Sequence, residues 1–476
     1  MDSEVFPIQG LPDEVLEHIF SFLPLSDRKS ASLVCTKWEN LAFSRRFLRK
    51  VVLEIQLEYP DPMLYQVPFL RRSKRRYVNV FAVIYRSNFC FKILMMILEL
   101  FAADVESFHY LGHLDTKQLS TVLSRLSNLQ QLTVGCNMDD TSPPLDSLKE
   151  LQIESLDAPN VTQLGIRLSA PAEARNILPV MRRLAPQLKN VDLHSTGYFI
   201  PLGQLQFPKA EVLNIGGRLC ETENIRALRT FFAGFKLLKE VRLDSSMQEI
   251  ALDLITSECP SIELLEFNCP RFHPIPFHLL GRLKYLKTLR LGEVHDVPDI
   301  SLECSPMVSV KTLSLELSDC EESSIERLRH LLPNVIAIDV ALRDEWYTEK
   351  GLRHICQNFR GLQRLKISDR DSWLIRRINS LRVLQHLEHL EELTFMFIRT
   401  RIIEIPPNVH LKRFVMHYPE QLSNDDLLEL ARQYPNLRYL QLGPKRQVTS
   451  EGIEAFKSLL VNCAVHCDNP SSEWGL

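Results

Sequence analysis

The sequence predicts an α/β solenoid: short parallel strands stacked on a concave side, return helices on a convex side, and a small three-helix unit ahead of them. Three observations carry this. An apolar-x-x-apolar-x-apolar pattern recurs about every 24 residues from Val52 to Leu460. Six prolines share one position relative to that pattern. The first fifty residues break the pattern and show helical periodicity instead.

The bulk numbers set the frame. The 476 residues are 45% hydrophobic and 24% charged, which are globular values and exclude collagen, coiled coil and long disorder. A net charge of -3 gives no bulk electrostatic pull toward nucleic acid or anionic lipid. The start, Met1-Asp2-Ser3-Glu4, has no basic region of the secretory kind. The most apolar stretch, Phe89 to Ala103, carries Lys92 and Glu99 and falls short of the roughly twenty residues of a membrane span, so it reads as a buried helix. The 11 cysteines form no CxxC pair, and Cys463 and Cys467 lack the second pair that a zinc site wants. No metal or cofactor is therefore expected, and the reading is a reduced protein of the cytoplasm, the nucleus or both.

Residues 1–50 read as the helical unit. Asp13 to Leu23 places Val15, Leu16, Ile19, Phe20 and Leu23 at helical spacing. Pro12 suits the start of that helix because its missing N–H costs nothing there, and Pro24 ends it. Ser26 is the expected N-cap of a second helix running to Val34, and a third passes through Trp38 and Leu41. Three helices of this size bury little surface, yet they are rich in apolar residues. That excess implies a partner, either the solenoid or another chain.

Residues 51–467 read as the solenoid and 468–476 as a tail. Clear copies of the pattern start at Leu129, Leu188, Leu238, Ile262, Leu286, Val310, Val335, Leu362, Leu390 and Leu437. Weaker ones start at Val52, Val78, Val105, Leu148, Val161, Ala210, Leu411 and Leu460. Pro159, Pro186, Pro208, Pro260, Pro333 and Pro435 each stand two residues before the first apolar position. Proline stops a helix and biases the preceding residue toward extended backbone, so each marks the turn from helix into strand. Asn424 to Tyr434 and Ser324 to Leu332 are the helices expected before two of these turns. A strand and a return helix at this period are the leucine-rich-repeat signature.

The front segment resembles the F-box. The resemblance rests on Leu11-Pro12-Asp13-Glu14, Ile19-Phe20, Leu23, Asp27 and Val34-Cys35-Thr36-Lys37-Trp38. An F-box ahead of leucine-rich repeats is similar to the F-box/leucine-rich-repeat family. That resemblance implies a substrate-recognition subunit of a ubiquitin ligase. The F-box docks the Skp adaptor of a cullin-RING complex, and the repeats hold a protein for ubiquitination and proteasomal degradation. Carried over by motif, Leu11, Pro12, Glu14, Ile19, Phe20, Leu23, Val34, Cys35 and Trp38 form or support the adaptor contact. Some of them are equally suited to holding the three helices together.

No nucleotide-binding, zinc-hydrolase or serine-hydrolase motif occurs, so no catalytic residue is expected. His194-Ser195 and Cys463/His466 are fragments without an orienting partner at a recognisable spacing. Strand alternation places Arg242, Arg290, Arg364, Lys366, Arg413, His417 and Tyr439 on the concave face. Among them, Arg364, Lys366, Arg413 and His417 are the best basic cluster for an acidic or phosphorylated substrate. Two other functions are compatible with the same residues: a leucine-rich scaffold acting by occlusion, and a hormone-type receptor with polyphosphate filling the solenoid. The run Arg71-Arg72-Ser73-Lys74-Arg75-Arg76 reads as a loop, serving as a nuclear localisation patch, an anion site or simply a solvated connection.

Overall fold

A computed structural model describes residues 8–57, 67–72, 77–84, 88–112, 116–135, 158–168, 171–195, 202–217, 225–243, 249–267, 275–294, 297, 304–317, 321–342, 345–369, 376–377, 381–400, 405–419, 422–443 and 448–467. They divide into two compact units, residues 1–213 with 217–236, and residues 214–216 with 237–476. No helix among the described residues is long and apolar enough to cross a membrane.

The first unit opens with α1 (Asp13–Ser21), α2 (Leu25–Ala31), α3 (Thr36–Ala42) and α4 (Arg45–Leu48). The three-helix expectation thus misses a fourth, single-turn helix. The second helix starts at Leu25 with Pro24 as its N-cap, so Ser26 is not the cap. Proline already holds extended backbone there, which sets the entry without a side-chain acceptor. Leu16, Phe20, Leu41, Ala42 and Phe47 form the core of these helices. The group is tied to the repeats by Asn79 Nδ2, which donates to the Arg49 carbonyl at 2.6 Å, and by Arg45 and Arg49, which pair with Glu106.

Strands and helices then alternate: β1 (Val52–Leu57), α5 (Val67–Arg72), β2 (Asn79–Ile84), α6 (Asn88–Phe101), β3 (Ser107–Gly112), α7 (Thr116–Arg125), β4 (Gln131–Gly135), β5 (Gln163–Leu168), α8 (Pro171–Leu184), β6 (Asn190–Ser195), β7 (Val212–Gly217) and α9 (Ile225–Ala233). Neighbours from β1 to β6 pair in parallel. The second unit continues the alternation with β8 (Glu240–Leu243), α10 (Glu249–Glu258), β9 (Leu264–Phe267), α11 (Phe277–Leu280), β10 (Thr288–Val294), β11 (Thr312–Leu317), α12 (Glu322–Leu331), β12 (Ala337–Leu342), α13 (Glu345–Asn358) and β13 (Arg364–Asp369). It ends with β14 (Arg376–Arg377), β15 (Glu392–Thr400), β16 (Arg413–Pro419), α14 (Asn424–Gln433), β17 (Tyr439–Leu442), α15 (Ser450–Leu459) and β18 (Ala464–Cys467). Every pairing described in it is parallel. Parallel neighbours need a crossover, which the return helices and turns provide on the outside of the sheet.

All ten clear copies of the sequence pattern are strands. Their register stacks like on like: Leu289, Leu313, Ile338, Leu365, Leu393, Phe414 and Leu440 are partners across successive strands, and all are buried. Burying each such side chain is worth about 1.5–3 kcal/mol. Two weak copies, at β2 and β18, are misaligned with the expected triple. At β2 the buried residues are Val78, Val80, Ala82 and Ile84, not the triple Val78/Phe81/Val83. At β1 the phase is the expected one, with Ile55 and Leu57 buried and only the leading Val52 48% exposed. At β18, Leu440 partners Val465, whereas the expected triple Leu460/Cys463/Val465 would place Cys463 there. At β2, which is apolar on both faces, either phase of a period-2 pattern is satisfied and only pairing to the neighbour decides. The copy at Leu148 lies outside the described residues.

The prolines act as expected, and asparagines act with them. Asn160, Asn334 and Asn436, each after a proline, donate through Nδ2 to the carbonyls of Ser127, Val308 and Val409 in the preceding repeat at 2.9, 2.9 and 2.8 Å. The helix predicted over Asn424–Tyr434 ends one residue early, and its start is capped by a capping box of Ser423 and Asp426. The expected loop around the basic run is in part the helix α5, whose last residues are Arg71 and Arg72. Residues 73–76 lie outside the described residues.

Candidate adaptor and strand-face sites

The front helices bury one set of apolar side chains and expose another. On α1, Leu16 and Phe20 point into the core, and Phe20, 1% exposed, meets the Trp38 ring edge-on at 5.3 Å. Leu11, Ile19, Leu23 and Trp38 are partly buried against the same cluster. Lys37 anchors the entry, with Nζ donating to the Leu11 carbonyl at 2.9 Å and pairing with Asp13 at 3.1 Å. Pro12 and Glu14 are exposed, Cys35 is half-buried at the N-cap of α3, and Val34 is 55% exposed. Of the nine motif residues, then, Phe20 is an internal strut, Trp38 shares that role, and Pro12, Glu14 and Val34 face solvent.

The motif does not include the most exposed apolar side chains. Leu33 is 86% and Phe22 74% exposed, and Ile8, Val15 and Leu25 are exposed beside them. The signal was legible: Val15 and the C-cap residue Phe22 stand at i and i+7, on a different side of the nine-residue helix from its core residues Leu16 and Phe20. A short helix cannot bury two sides in one small core.

The strand face of the second unit is charged but internally matched. Arg242 lies 3.3 Å from Glu240 and 3.6 Å from Glu266, and Arg290 binds Glu266 at 3.0 Å. Lys366 donates to Asp339 at 2.8 Å. Arg413 has no carboxylate partner among the described residues and stacks on the Tyr439 ring with its guanidinium carbon 3.8 Å from the centroid. Tyr439 in turn faces the His466 ring at 5.1 Å, and its hydroxyl donates to Gln441 Oε1 at 3.0 Å. Arg364 is exposed and His417 half-buried on the same face. The expected basic cluster is therefore not brought together as one positive field. Lys366 is neutralised across the strand, and Arg413 belongs to an aromatic stack.

His194 does have a partner that the sequence did not reveal, with Asp192 Oδ1 3.1 Å from its Nε2. The side chain of Ser195 lies outside the described residues. Burial pushes the Cys463 thiol up to about 11, the opposite of the lowering that activates a nucleophilic cysteine. Among the described residues no group of His, Cys, Asp and Glu is arranged to hold a metal ion.

Comparison with known proteins agrees with this anatomy at the front. The family model described as F-box-like matches residues 8–54, so the helical segment is an F-box-like domain. No curated protein matches the chain. Among solved structures, the TLR13–ssRNA13 complex is similar with a TM-score of 0.43 and 13% identity over 86% of this chain, which spans 61% of that one. The leucine-rich repeat-containing protein LegL7 from Legionella pneumophila is similar with a TM-score of 0.35 and 11% identity, over 87% of this chain and 98% of that one. The Rad7 and Elc1 complex in yeast gives 0.36 and 10%, over 92% and 90%.

Proposed function

We propose that the chain is the substrate-recognition subunit of a Skp–cullin–F-box ubiquitin ligase, working in the cytoplasm, the nucleus or both. The observation that carries this reading is the set of exposed apolar side chains on an F-box-like segment, Phe22, Leu33 and Val34, all outside the helices' own core. Covering three such side chains is worth several kcal/mol by area, and a second chain is what covers them. The chain performs no chemistry itself in this role. It holds a target lysine near a charged conjugating enzyme and raises its effective concentration. The repeats hold the target, with the strand face as the display surface.

Pull-down with purified Skp adaptor tests it. The wild type binds; Leu33→Ala/Val34→Ala and Leu11→Ala/Pro12→Ala each lose at least about tenfold in affinity while the chain stays folded. A wild type that does not associate removes the ligase reading and leaves a recognition scaffold acting by occlusion.

A further inference from the structure

The turns that lead into β8, β9, β10 and β11 stack in a row along one edge of the second unit. Backbone bonds fix the stacking: Glu263 N donates to the Lys239 carbonyl at 2.7 Å, Lys287 N to Glu263 at 2.8 Å, and Lys311 N to Lys287 at 2.9 Å. On these turns Leu237, Tyr285 and Val308 stand 52%, 64% and 59% exposed, and Pro260 is exposed between the first two. Four consecutive turns thus carry an apolar side chain at the surface. At about 4.8 Å per strand the row runs roughly 15 Å. Scattered exposed apolar residues need no explanation, but one on each of four successive stacked turns, two or three residues before the ladder position, is a regular arrangement that does.

Lysines flank the row. Lys239, Lys284, Lys287 and Lys311 are all exposed. The carboxylate on the same ladder, Glu263, is held by Lys287 at 2.6 Å. Lys284, next to Tyr285, and Lys311, three residues after Val308, have no carboxylate partner among the described residues. The edge is therefore apolar at its crest and cationic on its flanks. The strand face shows the contrast, since Arg242, Arg290 and Lys366 there each have a carboxylate.

We infer that this edge docks an acidic polypeptide segment of a partner protein, its aliphatic or aromatic side chains lying on Leu237, Tyr285 and Val308 and its carboxylates reaching Lys284 and Lys311. The row is one side chain wide, which fits a peptide; a lipid surface is met by a broad apolar face. It holds one aromatic ring, whereas single-stranded nucleic acid wants successive stacking platforms. The site is separate from the front helices and stands whether or not the adaptor binds them.

The test is selection from a random dodecapeptide display library on the purified full-length chain, followed by anisotropy with the selected peptide made synthetically. Selected sequences are expected to combine Asp or Glu with Leu, Phe or Trp. Their affinity should fall about tenfold in Tyr285→Ser/Val308→Ser and in Lys284→Glu/Lys311→Glu, and also as salt rises. Leu33→Ala/Val34→Ala should bind them unchanged. The milder Lys284→Gln/Lys311→Gln pair should move affinity the same way by a smaller factor, with an unchanged melting curve. Selection of basic peptides, or of peptides whose binding survives all these variants, overturns the proposal. So does loss, in the same variants, of adsorption to phosphatidylserine/phosphatidylcholine vesicles without any selected peptide.

Discussion

The front helices and the repeats use the same apolar residue types in opposite ways. In the repeats, Leu289, Leu313 and Leu365 point inward and each is covered by the next repeat. In the front helices, Phe22, Leu33 and Val34 are mostly exposed, Phe22 meeting only the edge of the His18 ring among the described aromatic rings. A stack can always supply one more neighbour, so its apolar positions are satisfied within the chain. Four short helices have too little interior to cover every apolar side chain they carry.

The comparison breaks most sharply under truncation. Leu313→Ala should lower the free energy of unfolding by about 2–5 kcal/mol, because truncating a fully buried leucine both loses transfer energy and leaves a cavity. Leu33→Ala should leave the denaturation midpoint within about 0.5 kcal/mol of wild type and act on adaptor binding instead. Equal destabilisation in the two would end the distinction. The next effect is steric. A Cβ at Gly443 would run into the His417 backbone carbonyl of the neighbouring repeat, and Gly443 N also donates to Met416 at 2.8 Å. Gly443→Ala should therefore cost about 1–3 kcal/mol in urea unfolding. Asn334→Ala removes a turn bond to the preceding repeat and should cost about 1 kcal/mol by the same measurement.

The smallest effect is a pH dependence. His354 on α13 is buried, and desolvation holds its pKa below the ordinary value, with Glu322 at 3.7 Å opposing the shift. Because the folded pKa is the lower one, the unfolded chain takes up the proton first. Stability is then lost as pH falls below about 6.5 and levels off once the folded form also protonates. Above pH 6.5 the residue contributes no slope. Replacing it with Gln should flatten urea midpoints between pH 7.5 and 5.5 relative to wild type.

Most of the repeat architecture was legible because it rests on local rules repeated many times. The triples at Leu129, Leu286 and Leu437 are strands, and Pro333 and Pro435 turn the chain where a helix must stop. The phase at β2 was not legible, since Val78-Asn79-Val80-Phe81-Ala82-Val83-Ile84 offers apolar residues to both faces. The F-box motif located the front domain. Yet its spelling includes Phe20, which is interior, and omits Phe22 and Leu33, which are exposed. The basic residues of the strand face were placed on the right strands, but Arg242, Arg290 and Lys366 were neutralised by carboxylates one strand away or on the same strand.

By itself, the order of amino acids determined the repeat, the places where helices give way to strands, and the helical character of the first fifty residues. These follow from backbone stereochemistry and side-chain periodicity within a few neighbouring positions. Tertiary structure alone decided which of two apolar faces is covered, which cation meets which carboxylate, and which turns line up into an exposed row. Those outcomes depend on groups some 24 residues apart being brought within a strand spacing of one another, and no local rule carries that distance.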